Sequence, residues 1–493
     1  MRFLSTRGKA FAENASIAIA KGIAEDGGLF VPETFPNITD KFDKLLTADY
    51  AERAAIILSQ FLEEYDYDGL YNACKNAYGK FDGDPAPLVK IDDGLFILEL
   101  FHGPTLAFKD IALTLLPYLL RAGCDNAGIK DEILILVATS GDTGKAALEG
   151  FKNNKGVKIM TFYPDEGVSA MQKLQMTTTD GDNVNVVAVK GNFDDCQSAV
   201  KRIFTNEEFK AQLKQDGVIF SSANSMNFGR LCPQIVYYFS AYFDMVNAGE
   251  IKLGDKVDFV VPTGNFGNIL AGWYAYKMGL PIGKLVCASN KNNVLTDFFT
   301  TGEYDINREF YKTTSPSMDI LISSNLERLI FEITGRDAVK TANKMAELTS
   351  GGKYTIEKAQ KELVQKMFYA GYTNEEECAN VIGNFFDEFD YVLDPHTSVA
   401  VGVAETYAED TDSQTPVVVL STASPYKFPV DVYKAITGEV IADAQDACDK
   451  IEELSAVPVP SQIKLLKTLP VKFTKTAEKE ELKGLVYQFA LKK

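Results

Sequence analysis

The chain has 493 residues, more than one hydrophobic core usually supports, so two or three domains are expected. Sixty-eight acidic against fifty basic side chains give a formal charge of −18, which repels nucleic acid and anionic membrane surfaces. An anionic ligand would therefore have to be held by local donors such as arginine or a helix N-terminus.

In chain order, the opening MRFLSTRGKAF lacks the apolar stretch of a secretory signal, and no run of about eighteen apolar residues follows. A soluble, cytoplasmic protein without a spanning helix is expected. Residues 1–92 read as a mostly helical N-terminal region, with helical apolar spacing over Ala51–Glu64 and Leu70–Tyr78 and a turn-rich GGLFVPETFP at Gly27–Pro36. Short β-branched runs then recur. Glu132–Ala138, Val157–Tyr163, Val184–Val189, Val257–Val261, Leu285–Ser289 and Val417–Leu420 are predicted to be buried strands, separated by amphipathic segments such as Ser198–Phe209. Strands alternating with helices predict an α/β protein built on open parallel sheets. A helical, acidic stretch over about 325–390, with NEEEC at Asn374–Cys378, interrupts the strands and reads as an insertion in the sheet domain. After Val440 the tail carries VPVP and a lysine-rich end, and neither repeats nor low-complexity blocks occur.

Two glycine-bearing loops each follow a strand and open a helix: Thr139–Gly144 (TSGDTG) and Gly264–Asn268 (GNFGN). Glycine lets the backbone approach an anion there, and open N–H groups with the helix dipole supply positive potential. Neither loop is a Walker A or a GxGxxG sequence, and either alone could be an ordinary connector. Lys109, in FHGPTLAFKDIALTLL, has an apolar neighbourhood that disfavours the ammonium form and makes the amine nucleophilic near neutral pH. The same context also allows a lysine snorkelling at a helix start or paired with Asp110. Ser225, Asn227 and Arg230 concentrate neutral donors and a fork-shaped cation suited to a phosphate ester, or form a polar turn capping a helix. Ser421 and Thr422 close a strand, where a hydroxyl could reach a ligand. The seven scattered cysteines fit a reducing compartment, and the two histidines, His102 and His396, lack metal-ligand spacing, so no metal site is expected.

Taken together, STRG at Ser5–Gly8, GGLFVPE at Gly27–Glu33, HGPTLAFKD at His102–Asp110, TSGDTG, SANSMNFGR at Ser222–Arg230, PTGNFGN at Pro262–Asn268 and LSTA at Leu420–Ala423 resemble the threonine synthase family, in that family's order along nearly the whole chain. The resemblance implies an α/β, fold type II (tryptophan-synthase-β-like) enzyme of two open sheet domains plus the N-terminal region. The large domain would comprise residues 93–128 and 225–493, and the small one 129–224. Lys109 would carry pyridoxal 5'-phosphate as a Schiff base, Gly264, Asn265, Phe266, Gly267 and Asn268 would hold the cofactor phosphate, and Thr422 would face the pyridine nitrogen. Thr139, Ser140, Asp142 and Thr143 would receive the substrate α-carboxylate, with Ser225, Asn227 and Arg230 on the substrate phosphate. The implied reaction, the last step of threonine biosynthesis, turns O-phospho-L-homoserine and water into L-threonine and phosphate by γ-elimination and β-addition. No nucleic-acid or membrane partner is expected, and the chain would act as a monomer or homodimer. One departure stands out: where the family often carries His-Pro-Ala before the lysine of the STA segment, this chain has Ser424, Pro425 and Tyr426 before Lys427. Rival readings are a dehydratase or β-replacing enzyme of the same fold, a phospho-lyase that releases a keto acid, and a silent relative, the last of which predicts loss of Lys109 or the phosphate loop.

Overall fold

The structure, a computed structural model, describes residues 1–139, 141–165, 168 and 170–492. The N-terminal region opens with three short antiparallel strands, β1 (Phe3–Ser5), β2 (Phe11–Ala12) and β3 (Phe30–Pro32). Helices follow, so the region is mostly helical, as its spacing predicts, with a small sheet inside the turn-rich segment. The helix predicted over Ala51–Glu64 runs over Tyr50–Leu58, capped by Asp49, whose side chain accepts from the Glu52 N–H. It stops where the Leu58 carbonyl takes the N–H groups of Phe61 and Leu62.

Strands β4 (Leu88–Asp92) and β5 (Leu95–Glu99) form an antiparallel hairpin. Next come β6 (Glu132–Ala138), β7 (Val157–Pro164), β8 (Val184–Val189) and β9 (Val218–Ser221), then β10 (Val257–Pro262) and β11 (Ile282–Ser289). A separate two-stranded antiparallel sheet pairs β12 (Glu303–Asp305) with β13 (Lys353–Thr355), and β14 (Phe368–Tyr372), β15 (Val417–Ser421) and β16 (Thr476–Ala477) complete the set. The larger sheet has the order β14-β11-β10-β15-β5-β4 and the smaller one β16-β8-β7-β6-β9. The smaller is parallel throughout, and the larger is parallel except at the β4–β5 edge.

Both faces of the larger sheet are buried, which is why its strands read as continuous apolar runs. Ile97, Val260, Val286 and Val419 share a core with the helix Pro395–Thr411, while Phe96, Phe259, Val418 and Leu420, one residue out of phase, pack with the helices Pro233–Asn247 and Gly267–Lys277 on the other face.

Three expectations are corrected. The hairpin strand β4 belongs to the larger sheet, so the boundary drawn at residue 92 cuts through a hydrogen-bonded pair. The stretch 325–390 is no simple helical insertion: it delivers β14, which pairs along its whole length with β11. The tail is divided between the units, because β16 pairs with β8 and the helix Leu482–Ala490 joins the core of the smaller sheet. In addition, the amphipathic segment Ser198–Phe209 is two helices, broken where the Asn206 side chain caps the Phe209 N–H at 2.9 Å. Among the described residues no helix is long and apolar enough to cross a membrane.

Candidate active site

The carboxyl ends of β5, β10 and β15 open toward one place, where loops of the larger unit meet a helix of the smaller one. After β5 the chain turns through Leu106, held at a positive φ of 61°, and Ala107 bridges Ala423. The Phe108 N–H donates to the Thr422 carbonyl at 2.9 Å and the Ser424 N–H to the Leu106 carbonyl at 3.1 Å. This pairing sets Lys109, at the start of the helix Lys109–Leu113, close to the buried Thr422. Asp110 braces the same turn, accepting from the Thr105 N–H at 2.8 Å and its hydroxyl at 2.7 Å. Burial lifts the Asp110 pKa to about 6 against the pull of those two bonds.

Lys109 neither snorkels nor pairs with Asp110. It is 9 % exposed, and its Nζ donates to Ser317 Oγ at 2.9 Å and stands 3.7 Å from Asp142 Oδ2. Lys427 takes the other carboxylate oxygen at 3.1 Å while donating to the Thr105 carbonyl at 2.7 Å. Asp142 opens the helix Asp142–Phe151 of the smaller unit, whereas both lysines and Ser317 come from the larger, so one carboxylate joins the two units at the site. Burial alone would raise the Asp142 pKa; the facing Lys427 and Lys109 more than offset it and hold the carboxyl below the usual range. The Lys109 amine is lowered to about 8, chiefly by burial, with Arg230 and Lys427 adding to the effect and Asp142 opposing it. That leaves about a tenth of it as free amine at pH 7, far more than an ordinary lysine offers.

Arg230 is 5 % exposed on the short helix Phe228–Leu231, and its Nη1 donates to the Ala223 carbonyl at 2.8 Å. Burial lowers its pKa to about 10, and no carboxylate pairs with it among the described residues. Ser225, half-buried, accepts from Asn325 Nδ2 at 3.1 Å. Asn227 departs from its predicted role. Its amide hydrogens go to the carbonyls of Ile19 and Ser222 at 3.0 and 2.8 Å, and its oxygen accepts from the Gly229 N–H at 2.9 Å. A phosphate only accepts, and Asn227 has no donor left for it; this residue caps the helix that carries Arg230.

In the TSGDTG loop, Thr139 Oγ1 accepts from the N–H groups of Gly141 and Gly144, each at 3.0 Å, and so braces the loop from within. Asp142 faces two lysines, which makes its carboxylate a counterion where a carboxylate receptor was expected. Thr143 is half-buried at the start of the helix, and Ser140 lies outside the described residues. The GNFGN loop joins β10 to the helix Gly267–Lys277, whose N-cap, Phe266, sits at a positive φ of 61° and makes no side-chain cap. The first N–H groups of that helix therefore stay open to an anion. Gly264 is there for room: a Cβ would lie 2.7 Å from the Ser317 carbonyl oxygen. Asn268 Oδ1 accepts from the Tyr237 and Tyr238 hydroxyls at 2.6 and 3.0 Å, while its Nδ2 is buried without a partner.

Sequence reasoning missed Ser317, the His396–Asp394 pair whose Nε2 accepts the Ser317 N–H at 3.2 Å, and the pairing of Lys427 with Asp142. Ser317 arrives on a loop with no glycine motif, and His396 was considered only as a metal ligand. No metal-ligating cluster occurs among the described residues.

Three family models match this chain. Residues 2–78 match the family model for the threonine synthase N terminus, 83–423 that for pyridoxal-phosphate dependent enzymes, and 397–486 that for the threonine synthase C-terminal region. Threonine synthase of Pseudomonas aeruginosa is 38 % identical over 458 residues, covering 92 % of this chain and 94 % of that protein. The chain belongs to the threonine synthase family. The pyridoxal-phosphate-bound threonine synthase of Brucella melitensis has the same fold, with a TM-score of 0.89, 37 % identity and 99 % of both chains covered. Threonine synthase-like 1 of Macaca fascicularis is 44 % identical over 441 residues, which cover 87 % of this chain; the match spans 58 % of that longer relative.

The family makes pyridoxal 5'-phosphate the cofactor of this chain. The residues present fit it: a buried amine at Lys109, a buried hydroxyl residue at Thr422, an uncapped helix N-terminus at Gly267, and an unpartnered donor on Asn268.

Proposed function

We propose that the chain converts O-phospho-L-homoserine and water into L-threonine and phosphate. The observation that carries this reading is Arg230, a buried guanidinium with no acidic partner among the described residues, near enough to Lys109 for its charge to lower that amine. A buried cation is unfavourable until an anion completes it, and a phosphate ester matches the fork of a guanidinium. In a chain of net charge −18, such a local donor is what an anionic substrate needs.

When bound, pyridoxal phosphate supplies an electron sink for negative charge developed on the substrate carbons. The remaining tasks fall to side chains and backbone of this chain. The open N–H groups of residues 264–268 would hold the cofactor phosphate, and Thr422 would offer its hydroxyl to the ring nitrogen. A hydroxyl in that role would not force the nitrogen to be protonated, which would weaken the sink and leave more of the proton traffic to Lys109. With its pKa lowered to about 8, Lys109 is a base of suitable strength for the protons at Cα and Cβ. The N-terminus of the helix Asp142–Phe151 receives the α-carboxylate, and Arg230 with Ser225 takes the substrate phosphate. As the Cγ–O bond breaks, Arg230 carries the growing charge on the leaving group; the departing phosphate then lies next to Cβ and can accept a proton from the water that adds there.

A second reading has one observation in its favour: the relatives named threonine synthase-like 1 share as much sequence with this chain as those named threonine synthase. On that reading the family's fold and cofactor are kept and the carbon product differs from L-threonine. Substrate preference is the first test. Fast phosphate release from O-phospho-L-homoserine is expected, with L-serine, L-threonine and O-acetyl-L-serine turned over far more slowly. A preference for any of those three would mark a dehydratase or a β-replacing enzyme.

A further inference from the structure

Lys109 is held on one side by a chain of hydrogen bonds that reaches well beyond the cofactor-binding residues. Asp394 caps the helix Pro395–Thr411, its Oδ1 accepting from the His396 N–H at 2.9 Å and facing His396 Nδ1 at 2.8 Å. Its other oxygen takes the Thr397 N–H at 3.2 Å and the Thr397 hydroxyl. A carboxylate accepts only, so the proton of a neutral His396 lies on Nδ1 and Nε2 is left bare. That bare nitrogen accepts the Ser317 N–H at 3.2 Å. The Ser317 hydroxyl then accepts from Lys109 Nζ at 2.9 Å and turns its own hydrogen toward Asp142 Oδ2 at 3.4 Å. On its far side the Ser317 loop is tied down by Asp319, which accepts from Asn290, Asn292 and Thr313 at 2.8, 3.0 and 2.7 Å.

We propose that Ser317, fixed by the His396–Asp394 pair, is the positioning residue for the free amine of Lys109. The inference rests on the reading of Lys109 as cofactor anchor and proton carrier. A hydroxyl that accepts one N–H and gives its proton to a carboxylate engages one hydrogen of the amine, and so narrows the directions open to the nitrogen lone pair. Ser317 also puts its carbonyl against Gly264. One residue thereby sets the spacing between the lysine and the phosphate loop. The charged groups that face this amine are Asp142, Lys427 and Arg230, so loss of the Ser317 acceptor removes one bond that favours the ammonium form and leaves the two cations opposing it.

The test uses the full-length protein and two readouts. The first is the pH midpoint for attachment of added pyridoxal phosphate to Lys109 in protein freed of cofactor, followed by absorbance. The second is kcat and KM of the reloaded enzyme. Ser317→Ala is expected to lower the midpoint by about half a pH unit or more and to cut kcat roughly ten- to thirty-fold, with KM within about twofold. His396→Leu, which removes the acceptor for the Ser317 N–H, should shift the midpoint in the same direction. His396→Gln, whose side-chain oxygen can replace Nε2, should restore most of both values. Borohydride fixation of the cofactor on Lys109 in each variant separates failure of the inference from failure of the Lys109 assignment. With Lys109 still labelled, an unchanged midpoint and kcat in Ser317→Ala would overturn the proposal, as would equal damage from His396→Gln and His396→Leu.

Discussion

Asp142 and Lys427 should move the reactivity of Lys109 in opposite directions. Asp142 Oδ2 lies 3.7 Å from the Lys109 amine, and Lys427 occupies the other oxygen at 3.1 Å. Two unit charges about 4 Å apart at an effective dielectric near 20 interact by about 4 kcal/mol, which corresponds to roughly three pH units. Lys427 shares the carboxylate, so a shift of about one to three units is expected when Asp142 loses its charge. In Asp142→Asn the ammonium form of Lys109 loses its counterion while Lys427 and Arg230 remain. Its pKa should fall from about 8, and cofactor attachment should begin at lower pH. In Lys427→Met, Asp142 faces Lys109 alone; the amine should hold its proton to higher pH and attachment should begin later. Attachment can be followed by trapping the cofactor with borohydride across a pH series and quantifying it on the Lys109 peptide. Midpoints that stay in place, or that move the same way in both variants, would refute the electrostatic reasoning.

Other outcomes follow from single contacts. Arg230→Ala should raise KM for the phosphorylated substrate about tenfold or more and leave the cofactor absorbance intact; loss of cofactor would show that the two phosphate sites had been exchanged. Lys109→Ala should bind substrate and cofactor but form no threonine, so product at an undiminished rate would remove Lys109 from the reaction. Gly264→Ala pushes a methyl to 2.7 Å from the Ser317 carbonyl, and equilibrium binding should show weakened cofactor affinity with little change in the circular dichroism of the fold. Arg328 is fully buried, donating to the Phe30 and Met226 carbonyls at 3.0 and 2.7 Å and to Asn325 Oδ1 at 2.5 Å. It ties the N-terminal region to the loop before Arg230, and Arg328→Ala, which strands those three buried acceptors, should cost about 2–4 kcal/mol, seen as a lower Tm.

The residues most legible from sequence were those whose signal is local. β6 and β8 were bounded correctly because a β-branched run buried on both faces has no competing period. The glycine loops could be placed at strand ends because Gly264 and Gly141 stand where the chain must turn sharply. Other features depend on partners distant in sequence. β14 is short, lies in an acidic stretch rich in helices, and is recognisable only by its pairing with β11. Asn227 looked like a ligand donor because its commitment to Ile19 and Ser222 is invisible without the fold. Lys109 was singled out for its apolar neighbours, and burial is the largest influence on its amine, but the charges that adjust it, Asp142, Arg230 and Lys427, each come from a different segment. His396 likewise gains a meaning only when Asp394 and Ser317 are placed on either side of it.

The most direct measurement is the identity of the carbon product formed from O-phospho-L-homoserine by the cofactor-loaded protein. L-threonine in one-to-one ratio with released phosphate, absent in Lys109→Ala, is the predicted result. Stoichiometric 2-oxobutanoate and ammonia with no threonine, or no phosphate released at all, would contradict it.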